Sequence, residues 1–98
     1  MINEAQKHDD GKLRYDLVPP SAEEALARVL TFGAQKYEDN SWQKLEDGEG
    51  RYYSALRRHL TAWRRGEKLD VESGMSHLAH ALCNVAFLLH FEENDDHT

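Results

Sequence analysis

His77, His80 and Asn84 stand three and four residues apart in the stretch ESGMSHLAHALCNVAFLLHF, Glu72 to Phe91. On an α-helix that spacing puts all three on one narrow face. The rest of the stretch, from Met75 onward, is apolar nearly all the way round. A buried imidazole or amide without a partner costs about 1–3 kcal/mol. The stripe therefore either joins a hydrogen-bond network, as at an interface between chains, or lines a site. Asp70 and Glu72 immediately precede it, so two carboxylates and two imidazoles fall close together in the chain. Asp70, Glu72, His77 and His80 form a mixed set suited to a divalent metal such as Mg²⁺, Mn²⁺ or Zn²⁺. Within that set Glu72, His77 and His80 are the candidates for activating water. His59, on the apolar face of the preceding helix, belongs either to the core or to the same space.

A second group is basic and aromatic. Lys12, Arg14, Lys36, Arg57 and Arg58 are candidates for holding phosphates. Tyr37 and Trp42 are candidates for stacking on a base, with Asn40 between them and Asn84 and His59 completing a substrate-binding set. The arginines from Arg51 to Arg65, with Lys68, are opposed only by Glu67. Such a locally basic segment is either a solvated helix face or a seat for a small phosphorylated ligand. Tyr52 and Trp63 read as core. Trp42 lies in a polar loop, where a large aromatic must tuck back onto the protein or face a ligand. Cys83 sits mid-helix among apolar residues, where a thiol is usually inert. No glycine-rich phosphate loop is present.

Three helices must position these residues. GKLRYDLVPP (11–20) alternates apolar and polar residues and reads as extended until Pro19-Pro20 turns the chain. Ser21 and Glu24 then form a capping box, opening a first helix of about 16 residues with Ala22, Ala25, Leu26, Val29, Leu30 and Gly33 at helical spacing. A loop, EDNSWQKLEDGEG, leads to a second helix, RYYSALRRHLTAWRR, whose apolar face is Tyr52, Leu56, His59, Leu60 and Trp63. Gly66 stops it. After an acidic connector the third helix starts near Ser73 or Met75 and runs to Phe91. Such an apolar helix needs cover on every side, and one chain supplies only two others. A homodimer or larger homo-oligomer, with bundles completed by both chains, follows as an expectation.

The 98 residues form one domain over 1–98, with 1–10 and 92–98 expected as loose tails. A chain this size buries only roughly 60–65% of its unfolded surface. A single cysteine excludes an internal disulfide framework and points to a reducing, cytoplasmic setting. The apolar run within 78–89 is far short of the ~20 residues a membrane span needs. A net charge of −6 and a pI near 5.4 argue against a nucleic-acid duplex as partner.

GKLRYDLVPP, FGAQKYEDNSW, RYYSALRRHLTAWRRGEKLDVESG and HLAHALCNVAFLLHF resemble, in order and spacing, the phage dATP/dGTP diphosphohydrolase N-terminal family. That family is similar to the all-α, MazG-like nucleoside triphosphate pyrophosphohydrolases. The resemblance implies an oligomeric helical bundle, in the host cytoplasm if phage-encoded. It implies cleavage of dATP or dGTP to monophosphate and pyrophosphate with a divalent metal. Where MazG-type helices carry E-x-x-D, this chain reads His77-Leu78-Ala79-His80. The alternative function is a non-catalytic nucleotide-binding protein, a sponge that sequesters a cyclic or other signalling nucleotide against host defence.

Overall fold

The computed structural model describes residues 10–94 and contains three helices: α1 (Pro20–Lys36), α2 (Gly48–Arg64) and α3 (His77–Asn94). The expected loose tails fall largely outside the described residues, although α3 continues through Glu92 and Glu93 to Asn94. The fold is all-α. Among the described residues the only extended pairing is one isolated antiparallel bridge between Leu69 and Ser76.

The helix starts differ from those predicted by local signals. α1 begins at Pro20 with Pro19 as its N-cap, and no side chain caps it. The Ser21–Glu24 capping box does not form, because Ser21 already lies inside the first turn and Glu24 instead pairs with Arg28 at 2.6 Å. Proline supplies the entry by its fixed φ and its missing N–H, which no helical carbonyl would have accepted there. The segment before it is not uniformly extended, since Tyr15–Leu17 form a short 3-10 turn. Its apolar residues stand in solvent, with Leu13 76%, Tyr15 75% and Leu17 69% exposed.

α2 begins three residues before the predicted Arg51, at Gly48, entered through Asp47 in the left-handed region (φ 53°). Gly48 is buried, and a Cβ there would lie 2.9 Å from the Phe91 ring, so the close approach of α2 to α3 requires glycine. α2 ends as Gly66 predicts. The Gly66 N–H bonds the Trp63 carbonyl and the Glu67 N–H bonds the Ala62 carbonyl, both at 3.0 Å. This is the Schellman arrangement, with Gly66 at φ 104°.

α3 is the central element. α1 and α2 each pack on it, and their backbones do not pack on one another. The small core joins Val29 of α1 to Ala79 and Cys83 of α3, with Ala25, Leu26, Met75 and Phe87 packed round it. Burial among these apolar neighbours pushes the Cys83 thiol up to about 11, so it is protonated at neutral pH and unfit as a nucleophile. On the side of α3 away from this core, Leu78, Val85 and Leu89 are 43%, 47% and 50% exposed. No helix among the described residues is long and apolar enough to cross a membrane.

Candidate functional site

Because α1 and α2 diverge over α3, an open cleft of about 910 Å³ lies between them. Its floor is the N-terminal half of α3, and its far end is the connector between α2 and α3. That connector is a compact turn. The Asp70 N–H bonds the Met75 carbonyl at 2.7 Å, the Gly74 N–H bonds the Asp70 carbonyl at 2.8 Å, and the His77 N–H bonds the Lys68 carbonyl at 2.9 Å. Gly74, at φ 73°, makes the reversal. The turn folds Glu67, Asp70 and Ser73 back onto the first turns of α3.

The histidines converge there. His59 of α2 and His77 of α3 face each other Nδ1 to Nδ1 at 2.8 Å. His59 also stacks on His80, with ring centroids 4.7 Å apart and planes 10° from parallel. His77 is buried, and its Nε2 lies 2.6 Å from Glu67 Oε2. His80 Nε2 faces Ser73 Oγ at 2.6 Å and stands 3.7 Å from Asp70 Oδ2. Asp70 Oδ2 in turn accepts the Ser73 N–H at 2.9 Å. One donor atom each from His59, Asp70 and His77 lies within 4.8 Å of the others. Two imidazoles and a carboxylate are a recognised donor set for a divalent metal.

The charge states follow from these surroundings. Burial lowers the pKa of both His59 and His80, and His59 is depressed further by the neighbouring His80 and His77. Both rings are therefore neutral at neutral pH and have a lone pair to offer. Burial pushes Asp70 upward, but the Ser73 N–H and hydroxyl and the nearby imidazoles outweigh it. Its carboxyl is held below the usual range, ionised.

Of the sequence candidates, Lys36, Tyr37, Asn40, Trp42, His59, Asp70, Glu72, His80 and Asn84 all line the cleft. Lys36 pairs with Glu72 at the mouth, and that hydrogen bond raises the lysine pKa. Asn84 is 93% buried, at 7% exposure, on the floor. Trp42 tucks inward, stacking on Phe87 at 4.1 Å between centroids, yet it still borders the cleft. Lys12, Arg14, Arg57 and Arg58 do not line it. Arg14 is paired with Asp16, and Arg57 donates to the Tyr53 hydroxyl.

Two residues that bear on the site were not singled out from the sequence: Glu67 and Ser73. Glu67 and Ser73 sit in a connector whose hydrogen bonds do not follow a helical period. Arg51 lines the cleft, one of several arginines in its segment that the sequence does not tell apart.

The fold and the cluster define an all-α chain with an imidazole–carboxylate cluster at one end of an open cleft, whose lining carries Trp42, Lys36 and Arg51 beside Glu38, Asp39, Asp70 and Glu72. More particularly, the sequence matches the family described as dATP/dGTP diphosphohydrolase, N-terminal, over residues 3–98, and the chain belongs to that family. A relative from Salmonella phage PMBT28, named dATP/dGTP diphosphohydrolase, is 37% identical over 82 residues, or 84% of this chain. The chain spans 28% of that protein's length. No solved structure matches it.

Proposed function

We propose that the cleft binds a purine deoxynucleoside triphosphate and hydrolyses it to the monophosphate and pyrophosphate, in the cytoplasm of a phage-infected cell. The observation supporting this reading is the meeting of His59, Asp70, His77 and His80 at one end of a cleft whose walls carry Lys36, Trp42 and Tyr37. Water attacks a phosphorus, a new P–O bond forms, and the bridging P–O bond of the anhydride breaks, with pyrophosphate leaving. His80, neutral and hydrogen-bonded to Ser73, takes the proton from the water. Lys36 passes from Glu72 to the phosphate oxygens, while Trp42 or Tyr37 borders the base and Asn84 contacts the substrate from the floor. Of the expected ligand set, Asp70 and His77 stand in the metal-binding cluster and Glu72 lies at the mouth with Lys36. A divalent cation bound there supplies charge neutralisation on the phosphates.

The test is incubation of the purified chain with dATP and dGTP, with and without Mn²⁺, and chromatography of the products. Metal-dependent release of monophosphate is expected. Recovery of intact nucleotide bound to the protein would instead identify a nucleotide-binding protein that sequesters its ligand, and would sink the hydrolase reading.

We further propose that two or more copies associate through the exposed apolar face of α3. Leu78, Val85 and Leu89 recur at seven and four residues, the spacing of a helix–helix seam. Sedimentation is expected to show a dimer or larger species, and Val85→Glu is expected to shift it to monomer. A monomeric wild-type chain at micromolar concentration removes this element.

A further inference from the structure

The two nitrogens facing each other between α2 and α3 define which atoms are free. Imidazole nitrogens approach to 2.8 Å only when one of them carries a hydrogen between them. His77 Nε2 lies 2.6 Å from the Glu67 carboxylate, an acceptor, so its ring hydrogen sits on Nε2. The Nδ1 lone pair of His77 then points at His59, whose Nδ1–H donates to it. Glu67 thus fixes the tautomer of His77 by the carboxylate–histidine pairing that commonly orients metal-binding imidazoles.

A cation entering between the rings takes the place of that shared hydrogen. His59 moves its own hydrogen to Nε2 and presents Nδ1, so each ring gives one lone pair. With metal–nitrogen bonds near 2.0–2.1 Å and tetrahedral angles, the two nitrogens would stand roughly 3.3 Å apart, about half an ångström wider than their hydrogen-bonded separation. Asp70, already within 4.8 Å of both, supplies the third, anionic donor. His59 and Asp70 border the cleft, so further coordination positions face the substrate space.

We propose that His59 Nδ1, His77 Nδ1 and an Asp70 carboxylate oxygen form a three-ligand site, oriented by Glu67, that selects a first-row transition cation over Mg²⁺. Two imidazoles are poor ligands for Mg²⁺, which demands near-octahedral oxygen coordination, and good ones for later first-row cations such as Zn²⁺ and Co²⁺. This site takes His59 in place of His80 and leaves out Glu72 from the ligand set expected from the sequence, with His80 held by Ser73 and Glu72 paired with Lys36. It deepens the metal element of the proposed function, but its test reads the cation directly. Binding without hydrolysis leaves it standing and removes only the reaction.

The experiment is titration of the chelator-stripped full chain with Co²⁺, followed by visible absorption, and with Zn²⁺ and Mg²⁺, followed by calorimetry. One cation per chain is expected, with a Co²⁺ spectrum showing nitrogen coordination and with no displacement by a ~100-fold excess of Mg²⁺. Glu67→Gln keeps all three ligands and is expected to weaken Zn²⁺ about 10- to 100-fold. His59→Ala, checked for helicity by circular dichroism, is expected to weaken it at least as much. The wild-type measurements need no variant to fold. Lack of saturable Co²⁺ binding, equal competition by Mg²⁺, or unchanged Zn²⁺ affinity in folded His59→Ala overturns the proposal.

Discussion

Replacing Asp70 with asparagine is expected to lower kcat/KM for dATP or dGTP by about 10²–10⁴-fold, the range usual for loss of a group that positions or polarises the attacking water. Asp70 is the ionised carboxylate that approaches His59 and His77 within 4.8 Å and stands 3.7 Å from His80 Nε2. Its other task is structural, accepting the Ser73 N–H at 2.9 Å and so shaping the connector. Asparagine separates the two tasks. Its carbonyl oxygen still accepts that N–H, so the turn persists, while the charge is gone. Asp70→Ala loses both and is expected to fall at least as far, with a drop in thermal stability that Asp70→Asn does not share. Steady-state kinetics beside thermal melts reads the difference. Wild-type turnover in Asp70→Asn would remove the carboxylate from the reaction.

The largest effect on stability is expected at Phe87. Its ring stacks on Trp42 at 4.1 Å and meets Tyr52 edge-on at 4.8 Å, while its other contacts reach the core of Val29, Ala79 and Cys83. One side chain therefore joins the loop before α2, α2 itself, α3 and α1. Phe87→Ala removes these contacts together and is expected to cost about 2–4 kcal/mol. That corresponds to a fall in melting temperature of about 8–20 °C for a domain of this size. The comparison is Val71→Ala, at a residue 90% exposed, expected to change stability by less than about 0.5 kcal/mol. Comparable melting temperatures for the two variants would show that the aromatic cluster does not hold the fold.

The same aromatic cluster marks a boundary between local and tertiary information. In the sequence Trp42 has two possible fates, and nothing within the polar loop chooses between them. The choice depends on Phe87, Phe91 and Tyr52 being within reach, and two of these lie on a helix more than forty residues away. The start of α1 is a smaller case. Ser21 and Glu24 have the spacing of a capping box, but Pro19-Pro20 start the helix two residues earlier.

By itself the sequence determined what depends on neighbours three or four residues apart. The apolar spacing specified three helices, Gly66 specified where α2 stops, and the stripe of His77, His80 and Asn84 specified a polar face on α3. The tertiary structure decided which groups meet that face. His59 reaches His77 because α2 packs against α3, and Glu67 reaches His77 because the Schellman turn at Gly66 reverses the chain. Arg14 and Arg57 went to local partners, while Lys36 reached across to Glu72. The physical reason is one of range. Helical periodicity is carried by hydrogen bonds within four residues, whereas a site of four side chains from two helices and a turn is fixed only when the helices pack and the turn closes.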